Sequence, residues 1–276
     1  MTRPPFPGPS GQPVVGVSLK LYMGVARTAA WLADVAALAR SRPAHTELFV
    51  LPSYICLPDA RDLLAGTPVG YGSQHVHWAG EGPWTGEVSA AQLAELGCTY
   101  AEIGHAERRR HFGETDATVQ ARTTAALEHG LVPVICVGDD AEHDADLAIA
   151  QTLRQVRAAV AGAAPGSDIL VAYEPVWAIG ADRPAPAARV RTVTRAVAEY
   201  LTGSGVRGRI LYGGSAGPGT YRDLLDAGAP VDGLFLGRRA HDPAALAAVL
   251  DEVEAAALSP VGHPTPSPSP TAKDQS

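Results

Sequence analysis

The sequence predicts an α/β protein with one domain, a (β/α)8 barrel over residues 13–257, and three observations predict it. Eight short apolar segments alternate with Ala-rich segments that have helical spacing. Apolar residues predominate in these segments, as in parallel strands that helices cover on both faces. The chain has 276 residues, and such a barrel needs about 250. An open doubly wound sheet is the alternative, and eight successive units favour the barrel.

The predicted strands share short length, high apolar content and frequent β-branched residues. They are residues 14–19, 47–51, 68–72, 99–104, 132–138, 168–174, 209–214 and 233–237. Helical spacing follows the strands, as in residues 28–40 after the first and 145–162 after the fifth.

Both ends of the chain have a different composition. Residues 1–12 are rich in Pro and Gly, and residues 258–276 form a Pro/Ser-rich run. Such segments bury too little apolar area to offset the entropy of ordering, so we expect two disordered tails around the barrel domain.

The composition argues against several classes of partner. The formal net charge is −7 and charged residues make up 18%, which predicts no nucleic-acid partner. The apolar runs are too short and interrupted for a membrane span, and the first residues lack the apolar segment of a secretory signal. The three scattered cysteines fit reduced thiols and a cytoplasmic location. There is no CxxC or HExxH motif, and neither residues 75–77 nor 139–146 match a known ligand spacing, so we expect no metal.

In a barrel of this kind, the chemistry lies at the C-terminal ends of the strands. The first predicted strand is followed by Lys20, which is the single lysine before Lys273 in a chain that otherwise uses arginine. A compact ammonium group suits close contact with a small anion, although a chance surface lysine is the plainer alternative. His105 follows the fourth strand at a predicted helix start, which would lower its pKa and keep it neutral. Glu107 is placed to pair with Lys20.

Glu174 ends the sixth predicted strand, after the apolar residues ILVAY. An apolar setting raises the proton affinity of a carboxylate, as a base that removes a proton from carbon requires. The next segment, 175–185, has a proline near each end and an apolar body, which predicts a lid. An ordinary loop with Glu174 paired to an arginine is the alternative.

Glycine-rich segments follow the seventh and eighth strands. Gly213, Gly214, Ser215 and Gly237 offer backbone N–H groups beside predicted helix starts. Phosphate groups bind at this place in many (β/α)8 barrels, so these residues predict a phosphate site.

Together these residues resemble the triosephosphate isomerase family, whose fold is the TIM barrel. The resemblance covers the barrel from Gly16 to about Ala240. Its most specific segments are residues 85–116, YEPVWAIG at 173–180 and YGGS at 212–215.

The resemblance implies an aldose–ketose isomerase that works through an enediol(ate), without cofactor or metal. By this resemblance, Glu174 is the catalytic base, His105 the neutral electrophile and Lys20 the substrate-binding cation. Gly180, Ser215 and Gly237 fall on phosphate-binding positions. The family also implies a homodimer, with residues 84–87 at the tip of the loop that reaches the partner, and a role in glycolysis and gluconeogenesis.

The sequence departs from the family around the expected substrate. Ser18 stands where the family has Asn, Ala106 replaces a serine, residues 181–183 differ from the usual lid hinge, and Arg238 replaces a glycine. We therefore count Ser18 and Arg238 among the substrate-binding residues. The default reaction is conversion of dihydroxyacetone phosphate to glyceraldehyde 3-phosphate. The first alternative is isomerisation of a four-carbon ketose phosphate such as erythrulose phosphate, and the second is a barrel that binds phosphosugars without turnover.

Overall fold

Eight parallel strands close into a barrel in chain order, in a computed structural model that describes residues 12–42 and 45–258. The strands are β1 (Val14–Ser18), β2 (Glu47–Leu51), β3 (Gly70–Ser73), β4 (Tyr100–Ile103), β5 (Val132–Val137), β6 (Asp168–Tyr173), β7 (Arg207–Tyr212) and β8 (Gly233–Leu236). Pairing of β1 with β8, with Val14 opposite Gly233, closes the ring. This confirms the predicted TIM barrel.

Helices follow the strands and form the outer layer. They are α1 (Val25–Arg40), α2 (Leu57–Leu63), α3 (Ala90–Glu95), α4 (Ala106–Phe112), α5 (Asp116–Glu128), α6 (Ala145–Val160), α7 (Ala187–Ser204), α8 (Thr220–Asp226) and α9 (Pro243–Leu258). Short 3-10 turns lie at Tyr54–Cys56, Val176–Ala178 and Arg238–His241. None of the helices in the described ranges is long and apolar enough to cross a membrane.

The inside of the barrel is a packed apolar core. The Phe49 ring stacks on Tyr100 with ring centroids 4.2 Å apart and lies 6.2 Å from Phe235. Gly16 makes room for these rings, because a Cβ there would lie 2.2 Å from Phe49 Cζ. The lower barrel is therefore filled with side chains and is not a channel.

Two strand boundaries differ enough from the sequence prediction to need a physical reason. β7 begins at Arg207, not at residue 209, because the Arg207 guanidinium forms two hydrogen bonds with the Asp168 carboxylate of the neighbouring strand. β3 is Gly70–Ser73 instead of 68–72, and its pairing with β2 begins where Phe49 lies opposite Gly70. Glu174 directly follows β6 and does not end it.

The expected tails lie almost wholly outside the described residues. Of the predicted N-terminal tail only Gln12 is described. At the other end, α9 continues to Leu258, one residue past the predicted domain boundary.

Candidate active site

Lys20, His105 and Glu174 come together at the C-terminal end of the barrel, although they are far apart in sequence. His105 Nε2 lies 3.4 Å from Glu174 Oε2. Lys20 Nζ lies 2.7 Å from Glu107 Oε1, the pairing that the sequence predicts. Both His105 and Glu174 are buried, and Lys20 is partly exposed.

The backbone is strained at two of the candidate site residues. Lys20 has φ +49° and Ser215 has φ +55°, and they are the two non-glycine residues with positive φ in the part of the chain that the structure describes. This left-handed conformation is unfavourable for residues with a Cβ, and such strain tends to occur where function requires it. The two strained residues belong to different ends of the predicted site, one to the cation and one to the phosphate loop.

The ring orientation of His105 follows from its position before α4. Its Nδ1 accepts a hydrogen bond from the Glu107 backbone N–H at 3.1 Å, so Nδ1 carries no proton in this arrangement. The neutral ring then carries its proton on Nε2, which faces Glu174 and makes no hydrogen bond with described groups. Burial, with the charges of Lys20 and Arg108, lowers the pKa of His105 and keeps the ring neutral. His105 can therefore donate a hydrogen bond from Nε2 into the site.

Glu174 has the high proton affinity that a base acting on carbon requires. Complete burial raises its pKa to about 8, and Lys20 opposes this shift while Glu102 adds to it. Its carboxyl group packs directly against the backbone of Gly213, where a Cβ would lie 2.6 Å from Glu174 Oε1. Gly213 thus leaves the space that this carboxyl group occupies.

Lys20 keeps its charge despite partial burial. Burial acts to lower its pKa, but the hydrogen bond with Glu107 and the nearby carboxyl groups of Glu174 and Glu102 raise the pKa overall. A charged ammonium group therefore lies beside the Glu174–His105 pair.

The predicted phosphate residues lie in the lid or beside it. Ser215 Oγ donates to the Ala178 carbonyl in the lid at 2.8 Å, and the Tyr212 hydroxyl accepts from the Ala185 N–H at 2.7 Å. A terminal nitrogen of Arg238 lies 3.9 Å from where a Cβ on Gly180 would be. Gly237 immediately precedes Arg238, at the end of β8.

Ser18 has a partner that the sequence analysis missed. Its hydroxyl donates to Glu102 Oε2 at 2.8 Å, and both side chains are buried in the barrel. Ser18 is shorter than the asparagine that the family has at this position, and the Glu102 carboxyl group reaches its hydroxyl. The detectable signal was an acidic residue inside the apolar segment TYAEIG, two residues from Tyr100 and therefore on the same face of the strand.

The histidines of residues 75–77 contact acidic side chains. His75 and His77 contact Glu87 at 3.6 Å and 3.4 Å, and His75 also contacts Glu114 at 3.3 Å. Across residues 12–42 and 45–258, the His, Cys, Asp and Glu side chains form no group of three or more arranged to hold a metal ion.

This arrangement can move a proton between adjacent carbon atoms of an anionic substrate. A desolvated carboxylate takes the proton, a neutral imidazole N–H polarises the carbonyl oxygen, and a fixed cation stabilises the negative charge that develops. The fold and site together define the class of barrel isomerases that act on sugar phosphates.

Comparison with known proteins identifies the family. The family model for triosephosphate isomerase matches residues 13–253. An L-erythrulose-1-phosphate isomerase from Pectobacterium atrosepticum is 47% identical over 247 residues, covering 86% of this chain and 94% of the relative. A triosephosphate isomerase from Thermus thermophilus is 41% identical over 232 residues, covering 81% and 92%. The crystal structure of triosephosphate isomerase from Bartonella henselae superimposes with a TM-score of 0.76 at 29% identity, covering 87% and 98%.

The chain belongs to the triosephosphate isomerase family. It is a sugar-phosphate isomerase, as the sequence predicts. The names of these relatives divide between a three-carbon and a four-carbon substrate, so the substrate has to be argued separately.

Proposed function

We propose that this protein isomerises a four-carbon ketose phosphate of the L-erythrulose 1-phosphate type. The observation that carries this proposal is the 47% identity to a relative with that name, against 41% to a relative named for the triose. The site adds support, because Ser18 and Arg238 change the surroundings of the substrate while Lys20, His105 and Glu174 are retained. The alternative substrate of the sequence analysis is thus preferred over the default triose.

The chemistry of the two substrates is the same at the reacting carbons. L-erythrulose 1-phosphate is dihydroxyacetone phosphate with one hydroxymethyl group added to C3, the carbon that loses a proton. Removal of that proton by Glu174 gives an enediolate across C2 and C3. Return of the proton to C2, together with transfer of the hydroxyl proton from O3 to O2, moves the carbonyl group to C3, and the product is a tetrulose 4-phosphate because C4 is a hydroxymethyl group.

Each site residue has one role in this proposal. Glu174 carries the proton between the two carbons, and His105 Nε2–H donates to the carbonyl oxygen. Lys20 stabilises the enediolate oxygen, an interaction that strengthens as negative charge develops. At the other end, Gly180, Ser215, Gly237 and Arg238 bind the phosphate group, and residues 175–185 cover it and exclude water.

The presence of Lys20, His105 and Glu174 together argues against a barrel that binds phosphosugars without turnover. The Nε2 atom of His105 and the Oε2 atom of Glu174 are buried and make no hydrogen bond with described groups. Burying such atoms without partners is costly, and a bound substrate would satisfy both of them.

A substrate panel tests the proposal. Purified protein is assayed with L-erythrulose 1-phosphate, D-erythrulose 4-phosphate and dihydroxyacetone phosphate under one set of conditions. We expect kcat/KM for a tetrulose phosphate to equal or exceed that for dihydroxyacetone phosphate. Efficient turnover of the triose with no turnover of either tetrulose would contradict the proposal, and would restore the expected place in glycolysis and gluconeogenesis.

We also infer that the protein forms a homodimer in the cytoplasm. Large apolar side chains are exposed in the segments that follow β1–β4: Leu21, Ile55, Trp84 and Phe112. Exposed apolar groups of this size at one end of a barrel favour a protein partner, and a second copy is the simplest one. The three cysteines are buried free thiols, as is usual in a reducing compartment. Light scattering of the protein and of Trp84→Asp tests the dimer, and a monomeric wild-type protein at micromolar concentration would contradict it.

A further inference from the structure

Glu102 is a fully buried acid that the proposed chemistry does not use. It lies in β4 two residues after Tyr100, so its side chain points into the barrel, and it is 2% exposed. The interior positions around it are apolar: Leu51, Val134, Ala172 and Leu211 belong to the same internal cluster as Tyr100. A carboxyl group is costly in such a place, where an aliphatic side chain would pack without penalty.

The carboxyl group has two specific contacts, one on each oxygen. Oε2 accepts the hydrogen bond from Ser18 Oγ at 2.8 Å, and Oε1 lies 3.9 Å from Cys136 Sγ. Glu102 therefore joins β4 to β1 directly beneath the candidate active site. Its charge also acts on Lys20 and Glu174, the cation and the base of the proposed reaction.

The protonation of Glu102 is set by its surroundings. Burial raises its pKa to about 7, and the hydrogen bond from Ser18 and the charge of Lys20 oppose this shift. The titratable or charged groups that act on it are Lys20, Glu107, Arg108, Cys136 and Glu174. The carboxylate accepts from Ser18 through Oε2, and so does the neutral acid when its proton is on Oε1.

The Ser18–Glu102 bond fixes what Ser18 can offer a substrate. A hydroxyl group has one proton, and in Ser18 this proton is given to Glu102, so the remaining capacity of Oγ is to accept. Ser18 thus becomes a fixed acceptor for a substrate hydroxyl group. A four-carbon substrate has one more hydroxyl group near the reacting carbon than dihydroxyacetone phosphate has.

We propose that Glu102 is a positioning residue that orients Ser18, and that this pair selects four-carbon ketose phosphates over the triose. The selection rests on the proposed function. Glu102 acts through the Ser18 hydroxyl, so loss of Glu102 leaves this acceptor unoriented and loss of Ser18 removes it. A substrate that leaves a buried polar group of the site without a hydrogen-bond partner is rejected more strongly than one that only loses an apolar contact.

The test compares Glu102→Leu, Ser18→Ala and the double variant by the ratio of kcat/KM for L-erythrulose 1-phosphate to that for dihydroxyacetone phosphate. We expect each single change to lower this ratio by about 10- to 100-fold, the range that one substrate hydrogen bond supplies. The double variant should be no worse than either single variant, because both remove one interaction. Glu102→Gln should retain the ratio within about 3-fold, since its amide oxygen still accepts from Ser18.

Three results would overturn the proposal. They are an unchanged ratio in folded Glu102→Leu, an unchanged ratio in Ser18→Ala, and losses in the double variant that multiply as independent effects. If Glu102→Leu does not fold, Ser18→Ala and Glu102→Gln decide the matter alone.

The proposal of a four-carbon substrate is refuted independently of these variants if wild-type protein turns over dihydroxyacetone phosphate and neither tetrulose phosphate. The proposal that the Ser18–Glu102 pair selects four-carbon substrates then fails as well. The positioning role of Glu102 is in that case tested with dihydroxyacetone phosphate as substrate. In that case, a loss of 10-fold or more in kcat/KM that is shared by Glu102→Leu and Ser18→Ala and rescued in Glu102→Gln supports positioning. Wild-type kinetics in the two variants would refute it.

Discussion

Gly213→Ala tests whether the position of the Glu174 carboxyl group controls the rate. A Cβ at residue 213 would lie 2.6 Å from both Cγ and Oε1 of Glu174, and 3.0 Å from its Cδ. Ordinary contact begins near 3.4 Å, so the carboxyl group must move by about 0.8 Å. A displacement of about 1 Å at a reacting group costs on the order of 100-fold in rate, and we expect a loss of that size in kcat.

The assay is steady-state isomerisation with thermal unfolding measured in parallel. Gly203→Ala is the matched control, because Gly203 lies in the exposed last turn of α7 and a Cβ there meets nothing within 4 Å. The control should keep wild-type kinetics and gain up to about 1 kcal/mol in the free energy of unfolding. If Gly213→Ala keeps more than about a third of wild-type kcat, the position of Glu174 does not limit the reaction and the reasoning is refuted.

Three further predictions concern the charged groups of the site. Glu174→Asp should lose about 100-fold in kcat with unchanged melting temperature, because one methylene fewer withdraws the base; near-normal kcat would remove Glu174 from this role. Lys20→Arg should lower kcat/KM at least 100-fold, because the larger planar group does not fit the 2.7 Å contact with Glu107 beside the site; wild-type kinetics would make Lys20 an ordinary surface cation. Glu174→Gln should raise the melting temperature at pH 8 and leave it nearly unchanged below pH 4.5. The folded-state pKa of Glu174 is raised to about 8, so the stability it contributes is full below pH 4.5 and is lost as the pH rises to 8. Equal melting-temperature changes at both pH values would show that this pKa is not raised.

The barrel and the reacting residues can be predicted from the sequence, because the patterns that indicate them lie within short stretches of the chain. Each strand is a short apolar segment with a helical segment after it, and the residues that follow the strands necessarily meet at one end of the barrel. Lys20, His105 and Glu174 could therefore be brought together from their positions after the first, fourth and sixth strands.

The missed features depend on contacts between distant strands. Glu102 was overlooked because the face that it shares with Tyr100 is not known to point into the barrel until the register of β4 with β5 is known, with Glu102 opposite Val134. Its bond with Ser18 joins residues 84 positions apart, and no local pattern records such a bond. The early start of β7 has the same origin, since the pairing of Arg207 with Asp168 extends the strand beyond its apolar part.

Isomerisation in deuterium oxide tests the central claim, that this protein moves a proton through an enediolate with Glu174 as the base. L-erythrulose 1-phosphate is incubated with wild-type protein and with Glu174→Gln, and the product is analysed by NMR and mass spectrometry. The account predicts solvent deuterium on C3 of the tetrulose 4-phosphate formed by the wild-type protein, which is C2 of the substrate, and neither product nor exchange above background with folded Glu174→Gln. Product without any deuterium, or wild-type turnover by Glu174→Gln, would contradict it.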